Sequence, residues 1–386
     1  MVSTVADARV VPASRGHFAW LVAAVVLAVA SAAYLAQVRW LMGAGMLGLS
    51  AISFAWYLAP GRRLAFALAA VALSSAGTVA FVAGLDLYMH HRYARSGGYN
   101  VWGYRGDAVG ARSSDERRVE MLGGSVAFGY GVDVDEAIPA NLQRFLNRDA
   151  GSARRVVVNL GWNSEGAYSF QYTLKDYAYL HSDVAILYSG YNDLLNFNNQ
   201  VFRHQSAVFR TTGYLPILPV IPLTAWLRLG SLGSQDSTKV VFTPKLTDKY
   251  ATEAADTALR ISQALERQLG RLAPEDIGAA PSGKPADWQY YLQAVRAAVT
   301  VALGQGKQVV VVTEPYISDR HAEQQSAVAA MLRDEFGGER RVHYLNAGRT
   351  VDLHDRALCY DGMHLTAAGN RIVAEWLAPR IAEVLR

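Results

Sequence analysis

Four short segments of this 386-residue chain hold residue types that together could transfer an acyl group. Gly123-Gly124-Ser125-Val126-Ala127 places a serine behind two glycines, which suits a hydroxyl lifted out of a tight strand-to-helix turn. Asn159-Leu-Gly161-Trp-Asn-Ser-Glu-Gly166 offers a glycine whose backbone N–H can face a ligand with no side chain in the way. Gly190-Tyr-Asn192-Asp193 supplies a side-chain amide able to donate to a developing negative charge. Asp361-Gly-Met-His364 sets a carboxylate three residues before a histidine. Such a carboxylate can accept from the imidazole Nδ1–H and leave Nε2 as the base. Each segment alone also reads as an ordinary loop, helix cap or helix entry. In combination they define one candidate site.

The elements that must position these segments are short apolar runs alternating with helical ones. Strands are expected at Arg118–Leu122, Arg155–Leu160, Asp183–Ser189, Gln308–Thr313 and Arg341–Asn346. Helices are expected near Ala137–Arg148, Gly166–Leu180, Ala322–Phe336 and Thr366–Leu385. Strands apolar at nearly every residue suit a parallel sheet covered on both faces, so the fold class predicted is a doubly wound α/β sheet of about five strands. Ligands in such sheets bind beyond the carboxyl ends of the strands. The serine, glycine and asparagine segments each follow a predicted strand, and the aspartate–histidine pair precedes the last helix.

Residues 196–306 interrupt this rhythm and read as an insertion between the third and fourth strands. Within it lie the proline-rich apolar patch Tyr214–Leu223 and helical stretches near Asp248–Leu272 and Trp288–Leu303. The patch reads as packing of the insertion on its host, with a lid or a membrane-facing surface as the other options.

Ahead of the sheet, three apolar stretches occupy His17–Gln37, Leu41–Ala59 and Leu64–Leu85. Each is close to the roughly 20 residues a helix needs to cross a bilayer. Three transmembrane helices are therefore expected within residues 1–90, and a hydrolase-like domain in residues 91–386. A cleaved signal peptide would carry one short apolar core followed by polar sequence, so a retained anchor is expected. Arg9 and Arg15 before the first stretch, and Arg62 and Arg63 between the second and third, place those loops in the cytoplasm. Three spans then put the rest outside the cytoplasmic membrane, facing the periplasm or the exterior. Arg39 and the cluster His90, His91, Arg92 and Arg95 are counter-signals.

The first 85 residues carry five basic side chains and one acid, which accounts for the whole formal net charge of +4. The remainder is balanced, unlike a nucleic-acid-binding domain, and no nucleic-acid partner is expected. Cys359 is the only cysteine, which excludes a disulfide framework. No cofactor is expected. His354 with Asp355 offers no ligand set for a metal, and His90 and His91 sit beside a membrane stretch.

The order serine, glycine, asparagine, then aspartate and histidine resembles the four blocks of the SGNH (GDSL-type) hydrolases over about Glu120–Arg386. The first block reads Gly-Gly-Ser where the family often has Gly-Asp-Ser. Asn100-Val-Trp-Gly-Tyr-Arg-Gly106 is similar to a segment of membrane-anchored bacterial members, and Arg105 would hold the entry to the domain. The resemblance implies a flavodoxin-like SGNH hydrolase fold. It also implies Ser125 as nucleophile, His364 as general base and Asp361 as the group orienting it. The oxyanion hole would comprise the N–H groups of Ser125 and Gly161 and the Asn192 amide. Trp162 and Tyr191 flank those donors and are expected either to stack on substrate or to pack inside the fold.

An α/β-hydrolase normally separates its acid from its histidine widely, so Asp361 and His364 favour the SGNH reading. The expected function is a membrane-anchored esterase or deacylase acting on an acylated envelope glycan or lipid. An O-acyltransferase would use the same residues. A noncatalytic envelope scaffold would have no need of the full set.

Overall fold

The computed structural model describes residues 15–36, 40–58, 63–95, 98–148, 153–194, 202–218 and 288–386. The chain divides into two units, Met1–Leu87 and Tyr88–Arg386. The helical stretch expected near Asp248–Leu272, and the apolar patch beyond Leu218, lie outside the described residues.

Three helices cover the apolar stretches: α1 (Arg15–Ala36), α2 (Trp40–Leu58) and α3 (Arg63–Tyr93). Among the described residues one segment, Ala67–Tyr93, is long and apolar enough to cross a membrane, and none of its most apolar window is buried. The apolar segments Phe18–Ala32 and Gly45–Leu58 are shorter.

The second unit is built on a five-stranded sheet. Its strands are β1 (Glu116–Gly123), β2 (Arg154–Asn159), β3 (Val184–Ser189), β4 (Gln308–Thr313) and β5 (Val342–Asn346), all parallel in the order β2-β1-β3-β4-β5. These match the five expected strands. The helices that follow β1 are α4 (Ser125–Phe128) and α5 (Ile138–Arg148), and α6 (Ala167–Asp176) follows β2. Between β3 and β4 come the short α7 (Phe202–Gln205) and α8 (Ala207–Thr212), then α9 (Gln289–Gly304). α10 (Asp319–Phe336) links β4 to β5, and α11 (Ala367–Val384) closes the chain.

The two-residue period of the strands divides the core into two layers. Ala185 and Leu187 of β3, with Val309 and Val311 of β4, face a layer filled from α6, α9 and α10 by Phe170, Leu174, Val295, Val299 and Val328. Val184, Ile186, Val310 and Val312 face the other side, where α5 and α11 contribute Ile138, Leu142, Val373, Leu377 and Ile381. Both faces of the sheet are therefore apolar, which is why β3 is buried at every residue. The chain leaves β1 for β2 and returns to β3 on the far side of β1, so the order reverses between β1 and β3. In such sheets the carboxyl ends of the strands at the switch point are where ligands bind.

Candidate active site

Ser125 begins α4 directly after β1, and the two glycines before it are demanded by space. A Cβ on Gly124 would stand 2.1 Å from Asn192 Nδ2. Any side chain there would drive the amide away from the serine. The single turn of α4 closes on Ser125 O, which accepts from Gly129 N at 3.0 Å and Tyr130 N at 2.9 Å. Arg105, buried, donates to the carbonyls of Phe128 (2.5 Å), Gly129 (2.6 Å) and Val132 (2.5 Å), and its guanidinium lies over the Phe128 ring. The residue assigned to the domain entry thus ties down the turn that carries Ser125.

Asp361 and His364 sit on the loop before α11. One oxygen of the Asp361 carboxylate accepts from the backbone N–H groups of Met363 (3.0 Å) and His364 (2.6 Å). The other lies 2.7 Å from His364 Nδ1, and His364 Nε2 lies 2.8 Å from Ser125 Oγ. A carboxylate at this distance requires a proton on Nδ1, which leaves the Nε2 lone pair facing the serine hydroxyl. Burial works to raise the Asp361 carboxyl, but the His364 ring and the hydrogen bonds outweigh it and hold the group below its ordinary range. Tyr130 packs its ring at 4.4 Å, centre to centre, from that of His364. No sequence motif points to Tyr130. Only its place five residues after the serine could have signalled it.

Asn192 opens a 3-10 turn after β3, and its Nδ2 donates to Glu165 O at 2.9 Å. A primary amide has two N–H bonds, so this contact uses one and leaves the other. Gly161 lies against the α4 backbone, where a Cβ would come 2.5 Å from Phe128 N. Its N–H donates to Asn159 Oδ1 at 3.0 Å, an acceptor that an oxyanion would have to share or displace. The neighbouring Asp193 turns the opposite way and accepts from Ala167 N at the start of α6 (2.9 Å), with burial pushing its carboxyl up to about 7.

Of the two readings of Trp162 and Tyr191, the structure shows both rings packed inside the fold. Trp162 is 1% exposed and stacks on Tyr99 at 4.0 Å, with the Arg203 guanidinium 5.1 Å from its ring. Tyr191 is also buried: its hydroxyl donates to Pro315 O and its N–H to Glu314 Oε2 at 2.8 Å. Neither ring is open to a substrate. Both follow strand ends in sequence, but their side chains turn back into the two core layers.

Glu314 carries a pH-dependent consequence. Burial raises its carboxyl to about 8, against the bond from Tyr191 N–H and with help from Asp193. Between the ordinary value of 4.5 and about 8, this folded carboxyl holds a proton that it releases in the unfolded chain, so the stability Glu314 contributes is lost as pH rises through that window. Glu314→Gln keeps an acceptor for Tyr191 N–H and removes the ionisation. Between pH 5 and pH 8 the thermal midpoint of the detergent-solubilised chain should fall more steeply with pH for the native protein than for the variant, because the variant lacks the Glu314 proton while the other buried titrating groups, Asp193, Glu120 and His321, are common to both. Equal slopes would contradict this account.

Among the described residues no group of three or more His, Cys, Asp and Glu side chains could hold a metal ion.

No protein-family profile matches the chain, and no curated protein matches it. Solved structures similar to it include carbohydrate esterases and a GDSL-family protein. One is a family two carbohydrate esterase from Clostridium thermocellum in complex with cellohexaose (13% identity, 72% of this chain and 67% of that chain, TM-score 0.40). Another is a family 3 carbohydrate esterase from the same organism (12% identity, 70% and 98%, TM-score 0.38). A third is a putative lipolytic protein of the G-D-S-L family from Desulfitobacterium hafniense (12% identity, 69% and 98%, TM-score 0.35). The chain spans 63% of the length of an active-site mutant of the family two enzyme, to which it is 12% identical with a TM-score of 0.39.

Proposed function

We propose that this chain is a serine esterase that removes acyl groups, acetyl above all, from a glycan or lipid of the cell envelope. The observation that carries the reading is the relay Asp361–His364–Ser125, with its 2.7 Å and 2.8 Å contacts. Ser125 Oγ would attack the acyl carbonyl while His364 Nε2 takes its proton. The imidazolium then faces a carboxylate already ionised. Charge gathering on the carbonyl oxygen would be met by the Ser125 N–H, the second Asn192 N–H and Gly161 N–H. His364 returns the proton to the departing alcohol, and water releases the acyl group from Ser125.

The envelope assignment rests on the apolar N-terminal unit. The segment Ala67–Tyr93 supports a membrane anchor, and we take α1 and α2 as two further spans. With Arg9, Arg15, Arg62 and Arg63 held in the cytoplasm, the sheet domain faces the outside, where acylated glycans and lipids are the available esters. The test is to incubate the solubilised chain with O-acetylated envelope glycans and quantify acetate. Release by the native chain and none by Ser125→Ala is expected. Acetyl transfer to another sugar without free acetate would replace hydrolysis by transfer, and no reaction with any acylated envelope fraction would contradict the reading.

A further inference from the structure

Arg203 is wholly buried, in a short helix between β3 and β4 that none of the four motifs includes. One terminal nitrogen, with two N–H bonds to share, lies within hydrogen-bond distance of both carboxylate oxygens of Glu165, at 3.1 and 3.0 Å, of Thr173 Oγ1 at 3.0 Å and of the backbone carbonyl of Leu160 at 3.0 Å. Thr173 Oγ1 in turn donates to Glu165 Oε1 at 2.7 Å. The guanidinium is flanked by the rings of Trp162 and Tyr177.

Two of these contacts reach the oxyanion donors. Leu160 C=O and Gly161 N–H belong to one planar peptide unit, in which they point in opposite directions. A cation on the carbonyl fixes the plane and draws electron density from the N–H end, strengthening it as a donor. Glu165 is the residue whose backbone carbonyl holds Asn192 Nδ2. A carboxylate locked to Arg203 therefore locks the acceptor that aims the Asn192 amide. Burying two charges costs desolvation that a well-packed apolar pair would avoid, so net stability gives little reason for this arrangement. Fixing one geometry does.

We propose that the Arg203–Glu165 pair is a positioning clamp for the oxyanion donors Gly161 and Asn192, supplied by the chain between β3 and β4. The clamp rests on the esterase reading above, and it deepens that reading by giving part of the interrupting segment a task at the site. Arg203 and Glu165 touch no reacting atom. Their replacement should weaken binding of the transition state and leave ground-state binding nearly unchanged.

The experiment uses the full chain in detergent, with Arg203→Lys and Glu165→Gln beside the native protein. Active sites are counted by titration with a fluorophosphonate. Turnover of p-nitrophenyl acetate is then expressed per titrated site, and inhibition by a phenylboronic acid, whose tetrahedral anion mimics the oxyanion, is measured alongside. The clamp predicts at least a tenfold fall in kcat per site, a parallel loss of boronate affinity, and KM changed less than twofold. Thr173→Val, which removes one bond to each partner, should lose at least threefold and serves if the charge variants yield no folded protein. Fewer titratable sites with unchanged kcat per site and unchanged boronate affinity would reduce the pair to a structural role and overturn the clamp. A native chain that neither takes the label nor turns over the ester would overturn the esterase reading, and the clamp with it.

Discussion

Ser125→Ala should leave the chain folded and lower its turnover of p-nitrophenyl acetate by about 10⁶-fold, the scale on which nucleophiles of such triads act. The side chain is only half-buried, and its single hydrogen bond among the described residues is to His364. Removing the hydroxyl therefore leaves no buried polar group without water nearby, and the thermal midpoint should move little. On the proposed mechanism, what is lost is the oxygen that His364 activates for attack on the carbonyl. Steady-state rates together with thermal melts of both proteins check the prediction. A variant within tenfold of the native rate would mean that turnover does not pass through residue 125.

Asp361→Asn is expected to cost about 10⁴-fold, by a different physical cause. The oxygen that accepts from Met363 N–H and His364 N–H can remain an oxygen in the amide, so the loop keeps its two backbone bonds. The atom facing His364 Nδ1 then becomes a donor. Two donors cannot share one contact, so the ring must carry its proton on Nε2, where it can no longer take one from Ser125. The native fold with the wrong tautomer is the expected outcome, read as a fall in kcat at unchanged thermal midpoint. A loss of less than about tenfold would place the orienting group elsewhere.

Much of the fold could be read in advance because its determinants are local. Val309 to Val312 and Val184 to Tyr188 are continuous apolar runs, and such runs have one comfortable home, a strand covered on both faces. The candidate site was legible for a related reason. Ser125, Asn192 and Gly161 lie within a few residues of strand ends, and a parallel sheet collects its strand ends at one edge. The Asp361–His364 contact needs only a three-residue turn.

What escaped the sequence depends on the direction of side chains and on pairs far apart in the chain. Trp162 follows Gly161 immediately, yet adjacent residues in an extended segment face opposite ways, so the glycine lies against the serine turn while the indole enters the core. Tyr191 precedes the 3-10 turn that Asn192 opens, and there too the ring enters the core while the neighbouring amide does not. Arg203 is separated from Glu165 by 38 residues, and nothing in either local pattern announces the pair. An arginine inside a polar interrupting segment reads as a solvated surface residue until its partners are seen. The membrane unit divides the same way: composition marks three apolar helices, whereas only Ala67–Tyr93 among the described residues has the length and hydropathy of a span.

An activated nucleophile at residue 125 should be open to covalent capture. The solubilised chain is treated with a fluorophosphonate and its intact and peptide masses are recorded. One phosphonyl group on Ser125, absent from Ser125→Ala and formed far more slowly in Asp361→Asn, is the predicted result. An unmodified native chain, or a label carried with equal efficiency by the alanine variant, would contradict it.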